Sequence, residues 1–163
     1  MKRLFLVAIA TVGFAFSGTA QETQLKFGLD AGMPMGDIKD MYSFNLAANA
    51  AYMWNGVAEG FDVGAGVSYN TYFAKEVGGK KGDNASFLPI YATANYGFTE
   101  NIFAGADLGY AVVLAPSGAD GGVYYQPKVG YQTEKFEVFV GYKAIAVSGV
   151  AQTSVNLGFN YKL

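Results

Sequence analysis

The sequence predicts an all-β fold, an eight-stranded antiparallel up-and-down transmembrane β-barrel preceded by a cleavable signal peptide. Three observations lead to this prediction. Apolar and polar residues alternate in eight segments separated by turn-forming residues, which is the period of a β-strand. One phase of the alternation holds no Asp, Glu, Lys or Arg in any segment. The other phase holds every strand charge and ten glycines, which suits a crowded interior better than a surface in water.

The amino terminus predicts export. Lys2 and Arg3 precede the apolar run LFLVAIATVGFAF, and the small residues Gly18 and Ala20 follow it. The run is short for a membrane helix and is followed by polar QETQ instead of a basic cluster. We therefore expect residues 1–20 to be a signal peptide that is removed, and residues 21–163 to form one barrel domain.

The eight strands follow in order along the chain. They are predicted at residues 25–34, 42–54, 61–73, 88–98, 102–114, 123–132, 136–146 and 153–163. The connections GDIKDM, AKEVGGKKGDNAS and APSGADGG are polar or rich in Gly, whereas TEN and TEK are three-residue turns. Short turns on one side and longer loops on the other are typical of membrane barrels. The last strand, TSVNLGFNYKL, must pair with the first to close the barrel.

The apolar phase has the order expected of a lipid-facing surface. Aromatic residues gather near both ends of the strands, and mostly Ala, Val, Leu and Ile lie between them. Two aromatic girdles around an aliphatic belt match the two interfaces of a bilayer. Thr71 and Thr153 are the only non-aromatic polar residues on this phase. Pro127 falls in mid-strand, where it removes a ladder hydrogen bond, and a β-bulge there would be the natural way to accommodate it.

The charges on the polar phase predict a network of ion pairs inside the barrel. An eight-stranded barrel has an interior just wide enough for side chains to fill, so a charge placed there needs a partner. Acidic and basic residues are equal in number on this phase. They are Lys26, Asp30, Asp62, Asp107, Lys128, Glu137, Lys143 and Lys162. We expect them to hold the barrel together and to have no catalytic role.

Composition disfavours several classes of function. The chain of 163 residues has no Cys and no His, which removes thiol chemistry, the commonest general base and a favoured metal ligand. We therefore predict that it is not an enzyme, and we predict no cofactor and no metal. Its formal net charge is -2 and its Lys residues are scattered, so no nucleic-acid partner is expected. The glycines of the polar phase disfavour a secreted soluble barrel of lipocalin type.

Two features resemble a known family. Asn156, Gly158, Tyr161 and Leu163 resemble the carboxyl-terminal β-signal of outer-membrane proteins, although a terminal Phe is the usual form. The stretches FAGADLGYAVV and GGVYYQPKVGY resemble strands of the small OmpA/OmpX-like β-barrels of the porin family. The resemblance implies insertion into the outer membrane of a Gram-negative bacterium by the barrel-assembly machinery. It implies no common ligand. From the apolar phase we expect contact with outer-membrane lipid, and from the exposed loops, chiefly AKEVGGKKGDNAS and APSGADGG, contact with lipopolysaccharide.

Two hypotheses for function follow. The first is a monomeric barrel with a structural or surface-interaction role and an interior largely filled by side chains. The second is a narrow porin-like channel for small solutes, which the polar residues Asp62, Asp107 and Lys128 favour.

Overall fold

The computed structural model describes residues 23–77, 79–116, 120–147 and 149–163. The predicted signal peptide, residues 1–20, lies outside the described residues. Ten strands are present in the described ranges. They are β1 (Thr23–Met35), β2 (Tyr42–Ala58), β3 (Phe61–Ala74), β4 (Glu76–Val77), β5 (Lys80–Lys81), β6 (Ala85–Gly97), β7 (Ile102–Ala115), β8 (Gly122–Gln132), β9 (Phe136–Val147) and β10 (Val150–Lys162). A 3-10 helix, Gly36–Asp40, joins β1 to β2. No helix in these ranges is both long enough and apolar enough to cross a membrane.

Eight of the strands form one closed antiparallel barrel in the order β1-β10-β9-β8-β7-β6-β3-β2. All eight predicted strands are therefore confirmed, and β10 pairs with β1 as predicted, from Lys26↔Lys162 to Met35↔Thr153. The first residues of β1 and the last of β10 lie at one end of the barrel, called here the termini end. The opposite end, which carries the 3-10 helix and the β4–β5 hairpin, is called the loop end. Closure pairs every barrel strand on both sides and leaves no free edge.

The two phases of the alternation face opposite ways, as predicted. Apolar side chains such as Leu29, Leu108 and Leu157, each more than 60% exposed, point outward. Polar and charged side chains such as Asp30, Asp107 and Lys143 are buried inside. This arrangement inverts the pattern of a soluble protein and matches a barrel whose outer wall contacts lipid.

Both polar residues on the outward phase have hydrogen-bond partners. Thr71 Oγ1 lies 3.1 Å from Ser86 Oγ on the neighbouring strand. Thr153 Oγ1 donates to the carbonyl of Met35 at 2.9 Å, where the 3-10 helix begins. Each hydroxyl is thus satisfied by protein, which lowers the cost of placing it on a wall that faces away from water.

Several sequence predictions were wrong in detail. The expected bulge at Pro127 is absent, because Tyr125↔Ala144 and Lys128↔Gly141 lie in the same register. Pro127 still pairs with Ala106 of β7, and it is the β8–β9 pairing that is interrupted at residues 126 and 127. The missing N–H of proline is therefore accommodated by a gap in one ladder, without an extra residue.

The loop end is more structured than the polar connections predicted. The segment GDIKD forms the 3-10 helix, and the loop after β3 contains the β4–β5 hairpin. Tyr42, assigned by alternation to the lipid-facing wall, instead packs on the interior cluster, with its ring 5.8 Å from that of Tyr72. A register shift between Tyr42 and Phe44 in the β2–β3 pairing changes its direction. At the termini end, NGVA extends β2 to Ala58 where a loop was predicted.

Candidate functional site: the barrel interior

The interior is filled by ion-paired polar side chains and by a cluster of apolar side chains. Lys143 on β9 and Asp30 on β1 point into the barrel from strands separated by β10. Lys143 Nζ lies 2.6 Å from Asp30 Oδ1 and donates to Asn70 Oδ1 at the same distance. Asn156 Nδ2 also donates to Asp30 Oδ1 at 2.6 Å. Because this carboxylate and this ammonium are both buried and both hydrogen-bonded, the pair links four strands across the lumen.

A second pair joins the adjacent strands β7 and β8. Lys128 Nζ lies 2.6 Å from Asp107 Oδ1 and 3.4 Å from Thr93 Oγ1. The same ammonium lies 5.6 Å from the centre of the Phe139 ring, within the range of a cation–π contact. These contacts fix the long side chain of Lys128 across the middle of the barrel.

A third group lies at the termini end. Glu137 forms ion pairs with Lys26 and with Lys162, the latter at 3.2 Å, and accepts a hydrogen bond from Asn160 Nδ2 at 3.1 Å. Lys162 Nζ also donates to the carbonyl of Thr133 at 3.0 Å. One carboxylate is therefore shared between two lysines where the lumen meets the turns.

Asp62 does not join these groups. Its Oδ1 accepts a hydrogen bond from the backbone N–H of Gly56 at 2.8 Å, at the exposed turn between β2 and β3. None of the ion pairs within the described residues involves it. The eight charges predicted to balance one another are thus seven inside, with four lysines against three carboxylates, and one at the rim.

An apolar cluster lies at the loop end of the interior. Eight buried residues form this cluster, and four of them are aromatic. The cluster consists of Ile38, Tyr72, Ala85, Phe87, Tyr91, Ala111, Tyr124 and Ile145. The rings of Tyr91 and Tyr124 lie 5.4 Å apart, and those of Tyr72 and Phe87 lie 5.9 Å apart. This cluster fills the lumen at the loop end.

Ile38, Ala85 and Phe87 are members of this cluster that sequence reasoning missed. Ile38 is fully buried although it lies in a polar loop, because the 3-10 helix folds over the mouth of the barrel. Gly36 permits the turn into this helix, since its φ of 65° is unfavourable for other residues. The sequence signal that could have indicated this burial is the single Ile among the charged and polar residues of GDIKD. Phe87 lies on the same phase as the inward Tyr91, but it was missed because the strand was predicted to begin at Leu88, whereas β6 begins at Ala85.

Glycine makes room for the large interior rings. A Cβ at position 66 would lie 2.6 Å from Cζ of Tyr91, much closer than non-bonded carbon atoms approach. Gly158, part of the predicted β-signal, faces the ring of Phe139 in the same way. The placement of glycines on the inward phase therefore has a direct steric basis.

The other β-signal residues divide between the two faces. Asn156 is buried and donates to Asp30, whereas Tyr161 and Leu163 are exposed on the outer wall. Whether these residues act as a recognition signal stays a prediction.

A small polar cavity separates the apolar cluster from the termini end. Tyr91 and Tyr124 line it toward the cluster, and Lys26 and Glu137 line it toward the termini. Its volume open to the centres of water molecules is about 20 Å³. Within the described ranges no group of three His, Cys, Asp or Glu side chains is arranged to hold a metal ion. Because its lining is mostly polar and its volume is small, the cavity can hold small polar species.

Comparison with known proteins defines the fold. The sequence matches no protein-family model and no curated protein sequence. Three solved structures illustrate the similarity. The outer-membrane protein Ail of Yersinia pestis in a nanodisc superposes with a TM-score of 0.60 at 15% identity, covering 88% of this chain and 99% of Ail.

A de novo designed transmembrane β-barrel gives a TM-score of 0.54 at 11% identity, covering 86% of this chain and 95% of the design. The amino-terminal barrel of OprF from Pseudomonas aeruginosa gives 0.52 at 12%, covering 86% and 97%. At these identities the likeness shows the fold alone. The chain has the fold of the small eight-stranded outer-membrane β-barrels.

Proposed function

We propose that this protein is an integral outer-membrane barrel with a structural or surface-interaction role and no open channel. The observation that supports this most strongly is the apolar cluster at the loop end, where Ile38, Tyr72 and Tyr124 are each at most 2% exposed. Ions and hydrophilic solutes would have to displace these side chains in order to pass. On the side of the cluster that faces the termini end, the ion pairs Lys143–Asp30 and Lys128–Asp107 cross the lumen.

The membrane location rests on the outer wall and on the fold. The outward side chains are apolar or aromatic, and the strands of 11 to 17 residues in the barrel are long enough to cross a bilayer when tilted. We propose export through a cleaved signal peptide and insertion by the barrel-assembly machinery as a monomer. Recovery in the outer-membrane fraction with heat-modifiable gel mobility is the expected result. Recovery in the soluble periplasm would contradict the proposal.

The surface role would belong to the loop end. Lys39 and Lys75 are exposed there, and Lys75 Nζ donates to the carbonyl of Lys39 at 2.7 Å, which holds the two connections together. Lipopolysaccharide phosphates are the proposed partners of such lysines. Ail, a fold neighbour described as an attachment invasion locus protein, has been solved in complex with the heparin analogue sucrose octasulfate. For the present chain, lipopolysaccharide binding that weakens with salt and in a Lys39→Gln, Lys75→Gln variant would support the proposal.

The second candidate is a narrow channel for small solutes, which the polar cavity favours. Planar-bilayer recording separates the two. The barrel role predicts no stable single-channel conductance from the unmodified protein, and Tyr124→Ala is the variant most able to create one, because it removes a ring from the apolar cluster. Phe103→Ala, at the termini end, serves as the matched control, since it leaves that cluster unchanged. Stable conductance by the unmodified protein would establish the channel.

A further inference from the structure

We propose that the polar cavity is a water-binding chamber open to exchange at the termini end and blocked at the loop end. The proposal goes beyond a filled barrel, because it assigns a ligand, water, and a direction of access to one part of the lumen. It rests on three observations: side-chain atoms without hydrogen-bond partners, the size of the cavity, and the different chemistry of its two ends.

The first observation is a set of buried polar atoms that no protein group satisfies. Gln126 is 2% exposed, and its Oε1 accepts from the Tyr124 hydroxyl at 2.6 Å, while its Nε2 has no partner in the described structure. Asn95 Oδ1 and Asn160 Oδ1 are also without partners there. All three side chains line the cavity. A buried polar atom left unpaired destabilises the fold, so a bound species that supplies the missing hydrogen bonds is favoured.

The second observation selects water as that species. The unpaired set contains a donor on Gln126 and acceptors on Asn95 and Asn160, and water can satisfy both kinds. An anion would leave the acceptors unpaired, and a metal cation would leave the donor unpaired. The cavity also has the right size, because about 20 Å³ open to water centres exceeds the roughly 10–15 Å³ that one bound water needs.

The third observation gives the direction of access. Toward the loop end the cavity meets Tyr91 and Tyr124, behind which lie Phe87 and Ile145 of the apolar cluster. Toward the termini end it meets Lys26 and Glu137. Lys26 and Glu137 are themselves buried, but their ion pair continues to Lys162, which is only partly buried at the mouth, whereas close-packed apolar groups exclude water. Water should therefore exchange past the lysines and stop at the tyrosines.

The absence of native cysteine allows a direct test with two matched variants. Ala51 lines the cavity and is 8% exposed, and Ala111 lies in the apolar cluster and is 0% exposed. Ala51→Cys and Ala111→Cys make the same small change on the two sides of the proposed boundary. The folded proteins in micelles would be treated with methyl methanethiosulfonate, a small uncharged thiol reagent, and the rates followed by mass spectrometry.

Reaction requires the thiolate, which a hydrated site favours and an apolar site disfavours, so a single pKa unit between the sites already gives about a tenfold difference in rate. We expect Ala51→Cys to react at least about tenfold faster than Ala111→Cys. Nuclear magnetic resonance of the unmodified protein gives an independent readout. The side-chain amide protons of Gln126 should exchange magnetisation with water, and the methyl groups of Ile38 and Ile145 should not.

Two results would overturn the proposal. One is the absence of any water contact at Gln126, which would mean a dry cavity. The other is equal reactivity of the two cysteines, which would mean that the cluster does not block water. Neither result depends on whether the protein binds lipopolysaccharide or conducts ions, so the outcome is separable from that of the proposed function.

Discussion

Lys143 and Asp30 form a buried ion pair, Nζ to Oδ1 at 2.6 Å, that connects β9 to β1 past the intervening strand β10. β1 and β9 are far apart in the sequence, but in the closed barrel they are the two neighbours of β10. The pair therefore contributes to closing the barrel as well as to filling it.

Removal of this lysine should destabilise the barrel strongly. Lys143→Met leaves the Asp30 carboxylate buried without its cation, and breaking a buried pair in this way costs about 3–5 kcal/mol. The double variant Lys143→Met, Asp30→Asn removes both charges and should recover much of that loss. Urea unfolding in lipid vesicles would measure both changes. The single variant Asp30→Asn completes the comparison. If the double variant lost as much stability as the two single variants together, the two residues would not be coupled.

The steric requirement at Gly66 gives a second prediction. A Cβ there would meet the Tyr91 ring at 2.6 Å, so Gly66→Ala should destabilise the barrel by about 1–3 kcal/mol through overpacking. The double variant with Tyr91→Leu makes room and should lose less than the sum of the two single changes. The same urea titration measures it, with Ala65→Gly on the neighbouring outward position as the control for strand propensity. Full stability of Gly66→Ala would show that the ring can move aside.

The barrel itself could be predicted from the sequence because alternation, charge placement and glycine placement all gave the same answer. All seven charges inside the barrel were identified from their phase, since phase fixes the face on which a side chain lies, whereas Asp62 on the same phase lies at the rim. Phase says nothing about partners. Partners depend on the strand order and stagger around the closed barrel. These determine that Glu137 is shared by Lys26 and Lys162, and that Lys143 pairs with Asp30.

The loop end could not be predicted, for a different reason. Ile38 is buried by a backbone path that begins at Gly36 and is fixed by the hydrogen bond from Thr153 to Met35. Tyr42 turns inward at a register shift, and Phe87 joins the cluster because β6 begins three residues before its predicted start. A single residue of slip reverses the face of a strand, and no pattern in the sequence marks where such slips occur.

Ile38 itself gives a third prediction. Ile38→Asn places an amide at a fully buried apolar position, which costs about 1–3 kcal/mol and exposes the cluster to water from the loop end. Lys39→Asn is the matched control, because the same new residue would be exposed one position further along. Thermal stability and hydrogen exchange of the Tyr72 and Tyr124 amides would report the change. Equal effects of the two substitutions would show that Ile38 does not pack in the cluster.

The lipid-facing wall gives a fourth prediction. Leu157 is 61% exposed in the middle of β10, and Arg at the bilayer midplane costs about 2–4 kcal/mol, falling to about 0–1 near an interface. Leu157→Arg should therefore destabilise the folded protein in lipid vesicles much more than Tyr161→Arg at the termini end. Equal costs at both positions would contradict a wall that spans a membrane.

The last strand gives the fifth prediction, because it closes the barrel through both of its neighbours. Residues 159–163 include Phe159, which pairs with Leu29 of β1 and Val138 of β9, and Lys162, which pairs with Lys26. Removing these five residues leaves the termini ends of β1 and β9 with unpaired backbone groups in the membrane, where each costs several kcal/mol. The shortened chain should fail to reach the heat-modifiable, membrane-inserted form in cells. Leu163→Phe is the control, since it keeps every residue of β10 and supplies the terminal Phe that is usual in the β-signal. Normal assembly of the chain ending at residue 158 would show that β10 is not needed to close the barrel.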